Sequence, residues 1–187
     1  MMKQWLRNNI FLLVTSCFLI ITLTGCGYTT RSLLSTEFRT IYIKPFINKV
    51  DITSEVFTGD KYKIYRPGLE TDITRYVNDK FLFDGNLKPV KNESADLILE
   101  GELVDFRKDP LRYSDDNNTV TEYRVNLVVN LTLKNRKEDK VSWQESNFTG
   151  YTTYFTTGSL AKSESQAITD AMIDLGRRVV ERTVEQW

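Results

Sequence analysis

The chain has 187 residues, 25 Lys plus Arg against 25 Asp plus Glu, two cysteines and no histidine. Balanced charge excludes a nucleic-acid surface built on net basicity. The lack of histidine removes the commonest base near neutral pH, imidazole zinc ligation and every Ser-His or Cys-His arrangement, so that only carboxylate, lysine or tyrosine chemistry is left.

At the N-terminus, Lys3 and Arg7 flank residues 10–23, a stretch without a charge. About 20 apolar residues are needed to cross a hydrocarbon layer of about 30 Å, so this shorter stretch reads as a removable export signal. It ends in Leu23-Thr24-Gly25-Cys26, small residues before a thiol, a pattern that resembles the lipobox of bacterial lipoproteins. The resemblance implies cleavage before Cys26, a diacylglycerol on its sulfur and, in many bacteria, an N-acyl chain; stable anchoring takes two or more chains. Cys17 leaves with the signal and Cys26 is acylated, so no thiol remains for a disulfide. Losing Lys3 and Arg7 leaves 23 basic and 25 acidic residues, a net charge of −2. The expected organisation is a signal over 1–25, a lipidated N-terminus and tether over 26–38, and one periplasmic domain over 39–187.

In residues 40–46, Ile41 and Ile43 alternate with Tyr42 and Lys44, the period of a half-buried strand, and Pro45 should close it. Residues 48–65 read as a loop with short extended pieces. After Pro67-Gly68, the spacing of Leu69, Ile73, Val77 and Phe81 predicts a helix with one apolar stripe, ended at Asp84-Gly85 by a left-handed glycine cap. Residues 86–90 read as a short strand. In residues 96–106, Leu97, Leu99 and Leu103 share a parity that shifts at Val104 and Phe106, which predicts a bulge near Gly101.

The clearest strand covers 121–133. Tyr123, Val125, Leu127, Val129, Leu131 and Leu133 face one way, and Glu122, Arg124, Asn126, Asn130 and Thr132 the other, with Val128 as the only exception. The charged run at 134–140 is a hairpin turn, followed by a strand over 141–155 with Val141, Trp143, Phe148, Tyr151 and Phe155 and a parity slip near Ser146. A closing helix starts at a capping box of Ser163 and Gln166 and carries Ile168, Met172, Leu175 and Val179; Gly176 within it points to close packing against the sheet. The order predicts an α+β fold in two layers, a mixed four- to five-stranded sheet with two helices packed on one face and the other face polar.

Taken in order, the residues resemble one family over nearly the whole mature chain: Gly25-Cys26-Gly27-Tyr28, the opening strand, Gly68-Leu69-Glu70, the run from Ala95 through Gly101, Asp109-Pro110 with Tyr113, Glu122-Tyr123-Arg124-Val125, Trp143, and Ala171, Leu175 and Val179. The set is similar to the LptE family, lipoproteins of the translocon that assembles lipopolysaccharide in the outer membrane. The resemblance implies two helices on a four-stranded sheet, anchored by lipid at the periplasmic face of the outer membrane. Such a domain sits as a plug in the lumen of a large β-barrel, where it helps the barrel fold and loosens lipopolysaccharide from its aggregates.

A plug must satisfy a polar lining, and Glu122, Arg124, Asn126 and Asn130 are the candidate partner-facing residues. The same pattern equally fits plain solvent exposure. For lipopolysaccharide, the connection 107–120 offers Arg107, Lys108 and Arg112 beside Leu111 and Tyr113, a basic and apolar mixture that suits a phosphorylated, acylated glycolipid. Asp115 and Asp116 follow at once, and a solvated turn is the plainer alternative.

Two other readings compete. Residues 43–46 before Asn48 also fit other outer-membrane lipoproteins, a peptidoglycan-synthase activator or a curli-type secretion lipoprotein, which the Asp109-Pro110, Tyr113 and Glu122-Tyr123-Arg124 set argues against. An enzyme would have to rest on Glu100 with Glu102, or on Asp105, and nothing in the sequence marks a concave pocket around them. No metal or cofactor is called for.

Overall fold

The computed structural model describes residues 38–50, 62–63, 66–115 and 119–184, with the backbone alone at 62–63. The export signal, Cys26 and the tether up to residue 37 lie outside the described residues, as does most of the irregular stretch 48–65, whereas Phe38, read as the last tether residue, is buried in the core.

The chain opens on β1 (Thr40–Ile43), whose Ile41 and Ile43 are buried. Pro45 closes it, and the Phe46 N–H, no longer in a ladder, donates to Thr74 Oγ1 at 2.9 Å. Two short pieces, β2 (Ile47–Asn48) and β3 (Tyr62–Lys63), precede α1 (Leu69–Asp84). The α1 stripe of Leu69, Ile73, Val77 and Phe81 is the buried set. Gly85 ends the helix at φ +78°, and its N–H reaches the Phe81 carbonyl at 3.1 Å, a conformation that a side chain would strain. Then come β4 (Lys88–Pro89), three long strands β5 (Leu97–Tyr113), β6 (Val120–Asn135) and β7 (Lys140–Phe155), and α2 (Glu164–Val184).

The sheet runs β4-β1-β5-β6-β7, with β2 and β3 pairing further along β5. β1 is parallel to both β4 and β5, so β1-α1-β4 is a parallel crossover, while β5, β6 and β7 form an antiparallel meander. Both helices lie on one face, and between them and the sheet sits a core of side chains such as Ile41, Leu97, Leu103, Phe106, Leu127, Leu131, Ile73, Phe81, Met172 and Leu175. This is the expected two-layer α+β fold, with short extra strands on β5.

Glycines set how closely the layers approach. At Gly101 the ring of Phe46 fills the space that a Cβ would take, and Gly101 stays paired with Leu131. The bulge in β5 therefore falls later, between Leu103 and Asp105, not at Gly101 as the parity suggested. Gly150 on β7 lies under the backbone of Leu175 on α2. Gly176 does not pack on the sheet as the sequence implied; it faces Tyr76 and Lys80 of α1 and is where the two helices meet.

Two strand readings are corrected. The connection 107–120 is mostly strand, since β5 continues through Pro110 to Tyr113 and β6 starts at Val120. Proline is tolerated because the ladder is already irregular between Pro110 and Arg112. In β7 the inward apolar residues are Trp143, Phe148 and Tyr154, whereas Val141 and Tyr151 are exposed and Phe155 half-buried. The parity slip lies at Ser146 and Asn147, where Asn147 takes φ +57° and the pairing jumps from Leu131 and Glu145 to Val129 and Phe148, which turns Tyr151 outward.

Candidate functional site

The face of β5, β6 and β7 that carries no helix is the candidate binding surface. Registers align Glu122 with Arg112 and Phe155, Arg124 with Asp109 and Thr153, Asn126 with Arg107 and Tyr151, and Asn130 with Glu102. All four candidate partner-facing residues thus share one face. They do different things there. The Asn126 side chain is only 6% exposed and donates to Asp109 Oδ2 at 2.8 Å. Asn130 accepts the Asn147 N–H at 3.0 Å and holds the β7 bulge. Glu122 and Arg124 remain half-buried at the outer part of the ladder: Glu122 sits 3.6 Å from Arg112, and the Arg124 guanidinium lies 5.2 Å from the Tyr151 ring centre.

Charge on this face is ordered into small ion clusters. Arg107 is gripped by Asp105 at 2.5 Å and by Asp109 at 3.3 Å. Burial alone would lower the Arg107 pKa, and the two carboxylates more than reverse that and raise it. Glu100 takes Lys134 at 2.7 Å and Lys44 at 3.0 Å, and the Lys134 bond above all lowers its pKa. A general acid needs the opposite shift, so Glu100 is not set up as one, and Asp105 is held on Arg107. Two polar atoms in the outer half of the sheet, Asp109 Oδ1 and Arg124 Nε, are buried without a hydrogen-bond partner.

The four residues proposed for lipopolysaccharide contact are not one cluster. Successive strand residues point to opposite faces, so Arg107 faces the open side and Lys108 the helix side. Lys108 Nζ meets Glu164 Oε2 at 2.6 Å and lies 4.7 Å from the Tyr123 ring centre, beneath the start of α2. Only Arg112 and Tyr113 are exposed, together with Leu111, at the hairpin's outer end. Beyond Lys108 on β5 and before Val125 on β6 no described residue is buried, so this hairpin projects past the helical layer.

A clasp at the outer edge of β7 escaped the sequence reading. Asp174 on α2 accepts the Tyr151 N–H at 3.1 Å and binds Arg177 and Arg178 at 2.7 and 2.8 Å. Burial, the largest influence, pushes the Asp174 pKa up, and these three donors bring it below the usual range. Arg178 and Arg124 both lie over the Tyr151 ring, at 4.8 and 5.2 Å, so that one tyrosine joins the helix to the open face. The spacing of Asp174, Arg177 and Arg178 was a visible signal for half of it; that Tyr151 points outward was not.

No helix among the described residues is long and apolar enough to cross a membrane. Among solved structures the fold is similar to protein XCC0632 from Xanthomonas campestris, at a TM-score of 0.50 and 11% identity over 83% of this chain and 91% of that one. It is also similar to the rare lipoprotein B from Shewanella oneidensis (TM-score 0.44, 14% identity, 76% and 92% covered). A third similar structure is the PelC dodecamer from Paraburkholderia phytofirmans (TM-score 0.44, 14% identity, 79% and 93% covered). No curated protein matches the chain. The chain's own elements define a two-layer α+β domain. Residues 38–183 match the family described as LptE, lipopolysaccharide-assembly, and the chain belongs to that family.

Proposed function

We propose that this chain is an outer-membrane lipoprotein that acts by binding. After removal of residues 1–25 it is held at the periplasmic face by an acylated Cys26, with 26–37 as tether and 38–187 as the working domain. It seats the open face of its sheet against the polar interior of a large outer-membrane β-barrel and helps that barrel assemble. It also assists the insertion of lipopolysaccharide into the outer leaflet. Family membership supports this setting.

The observation that carries the reading is the chemistry of the open face. A ladder of three strands, each 16 or 17 residues long, leaves one side without a helix and fills it with carboxylates, guanidinium groups, amides and hydroxyls. A barrel lumen is polar because lipid-facing and lumen-facing residues alternate along its strands, and such a lining is matched by hydrogen-bonding groups better than by an apolar face. For lipopolysaccharide the projecting end of the hairpin, with Arg112, Leu111 and Tyr113, replaces the wider set as the contact site, since Lys108 is turned under α2.

Asn126 is a poor place for a crosslinker, because it is buried and holds Asp109. Thr153 is exposed on the same face, opposite Arg124. A photo-crosslinking residue at 153, activated in cells, should capture one large barrel protein. The same residue at Ile173, exposed on α2, should capture far less of it. Capture of soluble periplasmic proteins alone from position 153 would overturn the reading.

A further inference from the structure

Most exposed apolar side chains of this domain stand singly, but two sit side by side at one end. Phe83 is 90% exposed and Leu82 62%, in the last turn of α1. The core-facing stripe of that helix ends at Phe81, so neither residue belongs to its buried set. The turn that follows is otherwise polar: Asp84 accepts the Asn86 N–H at 3.3 Å and its side-chain amide at 2.8 Å.

The same end is where the backbone enters the fold. The Lys88 N–H donates to the Arg39 carbonyl at 2.9 Å, and Lys88 follows the Gly85 cap by three residues. Arg39 and Lys88 are themselves exposed, the charge sign that anionic headgroups attract. From Phe38 back to Cys26 is 12 residues, a reach of at most about 40 Å when fully extended. The exposed pair is far too small for a stable protein interface, which takes about 1,200 Å² or more in total. It suits insertion at a lipid surface.

We infer that Leu82 and Phe83 dip into the headgroup-acyl boundary of the leaflet that holds the anchor, with Arg39 and Lys88 against headgroup phosphates. The inference rests on the reading that Cys26 is acylated. An acyl anchor alone leaves the domain free to swing on its tether; a second contact on the body of the domain fixes its long axis relative to the membrane.

The test uses the full chain, processed in cells and reconstituted into vesicles of phosphatidylethanolamine and phosphatidylglycerol, with Phe83→Trp or, at the opposite end, Leu160→Trp. Quenching by acyl-brominated lipid is read against the unsubstituted chain, whose own tryptophans give the background. The tryptophan at 83 should lose about half of its emission or more and resist iodide, while that at 160 keeps its emission, as expected for a side chain at the acyl boundary. If the chain floats with the vesicles and position 83 is unquenched and open to iodide, the inference is overturned and the anchor stands. If the chain does not float at all, both fall. If Cys26→Ala still floats with position 83 quenched, the contact stands and holds the chain to the membrane without the anchor.

Discussion

Lys108 in the outer part of β5 and Glu164 at the start of α2 meet at 2.6 Å across 56 residues of sequence. The same Glu164 oxygen lies 3.4 Å from the Tyr154 hydroxyl, and Lys108 also covers the Tyr123 ring. Lys108 is thereby a structural cation that ties the helix layer to the outer sheet. Glu164 is partly exposed, and for such pairs the coupling is about 1 kcal/mol or less. A double-mutant cycle of Lys108→Ala and Glu164→Ala in urea should return a coupling of that size, and additive effects would show the two to be independent.

Tyr154 supplies an optical report on the same corner. Burial first, then the charge of Glu164, pushes its pKa up to about 12. A raised pKa means that its contribution to stability is complete below pH 10 and is lost as pH rises through 12. Ultraviolet titration should find one tyrosine that ionises late. In Glu164→Gln that tyrosine should ionise earlier, and an unchanged curve would refute the assignment.

Acid stability should depend on Asp96. Its carboxylate accepts the Arg39 N–H and the Thr40 N–H, both at 3.0 Å, and the Thr40 hydroxyl at 2.9 Å, and the Arg39 bond is the largest influence lowering its pKa. A depressed pKa gives stability that is present above the ordinary carboxylate range and lost as pH falls below it. Asp96→Asn should lower the urea midpoint at pH 7 and flatten the decline between pH 5 and 3. A parallel decline in variant and parent would show that other carboxylates dominate.

The two glycines near α2 should respond differently to alanine. At Gly150 a Cβ would stand 2.4 to 2.7 Å from Leu175 backbone and Cβ atoms, which cannot step aside, so Gly150→Ala should cost about 2–3 kcal/mol. At Gly176 the nearest atoms are Lys80 Cγ at 2.9 Å, near the root of its side chain, and the Tyr76 carbonyl oxygen at 3.3 Å, so the two helices would have to give by a few tenths of an ångström. Alanine gains about 1 kcal/mol of helix propensity there, which offsets part of that cost, so Gly176→Ala should lose less than Gly150→Ala. Equal losses in thermal unfolding would contradict this packing.

For lipopolysaccharide, Arg112→Ala should weaken binding and reduce its salt dependence, while Lys108→Ala should change stability and leave the salt slope alone. Binding measured between 50 and 300 mM salt separates the two, because exposed charge pairs are screened and sheltered ones much less so.

Much of the fold was legible because burial on one face writes a period into the sequence. The stripe of α1, the alternation of β6 and the Ser163–Gln166 capping box, with reciprocal bonds at 3.0 and 3.2 Å, all appear where the residues placed them. What could not be read follows from contacts distant in sequence. Nothing local says that Gly101 makes room for Phe46, that Gly150 lies under Leu175, or that Lys108 points beneath a helix that begins 56 residues later. The candidate site was half visible for the same reason. Parity put Glu122, Arg124, Asn126 and Asn130 on one face, but their separate jobs depend on Asp109, Asn147 and Tyr151 from the flanking strands.

The 17 residues of β5 measure about 55 Å from end to end at 3.3 Å per residue, against about 32 Å for the 21 residues of α2. The hydrocarbon slab of a bilayer is about 30 Å thick. A rod of that length, stiffened by neighbouring strands, has poles farther apart than the barrier is deep. The pole with Arg39 and Lys88 and the pole with Arg112 and Tyr113 can therefore reach opposite surfaces of such a slab at once, without any hinge between them.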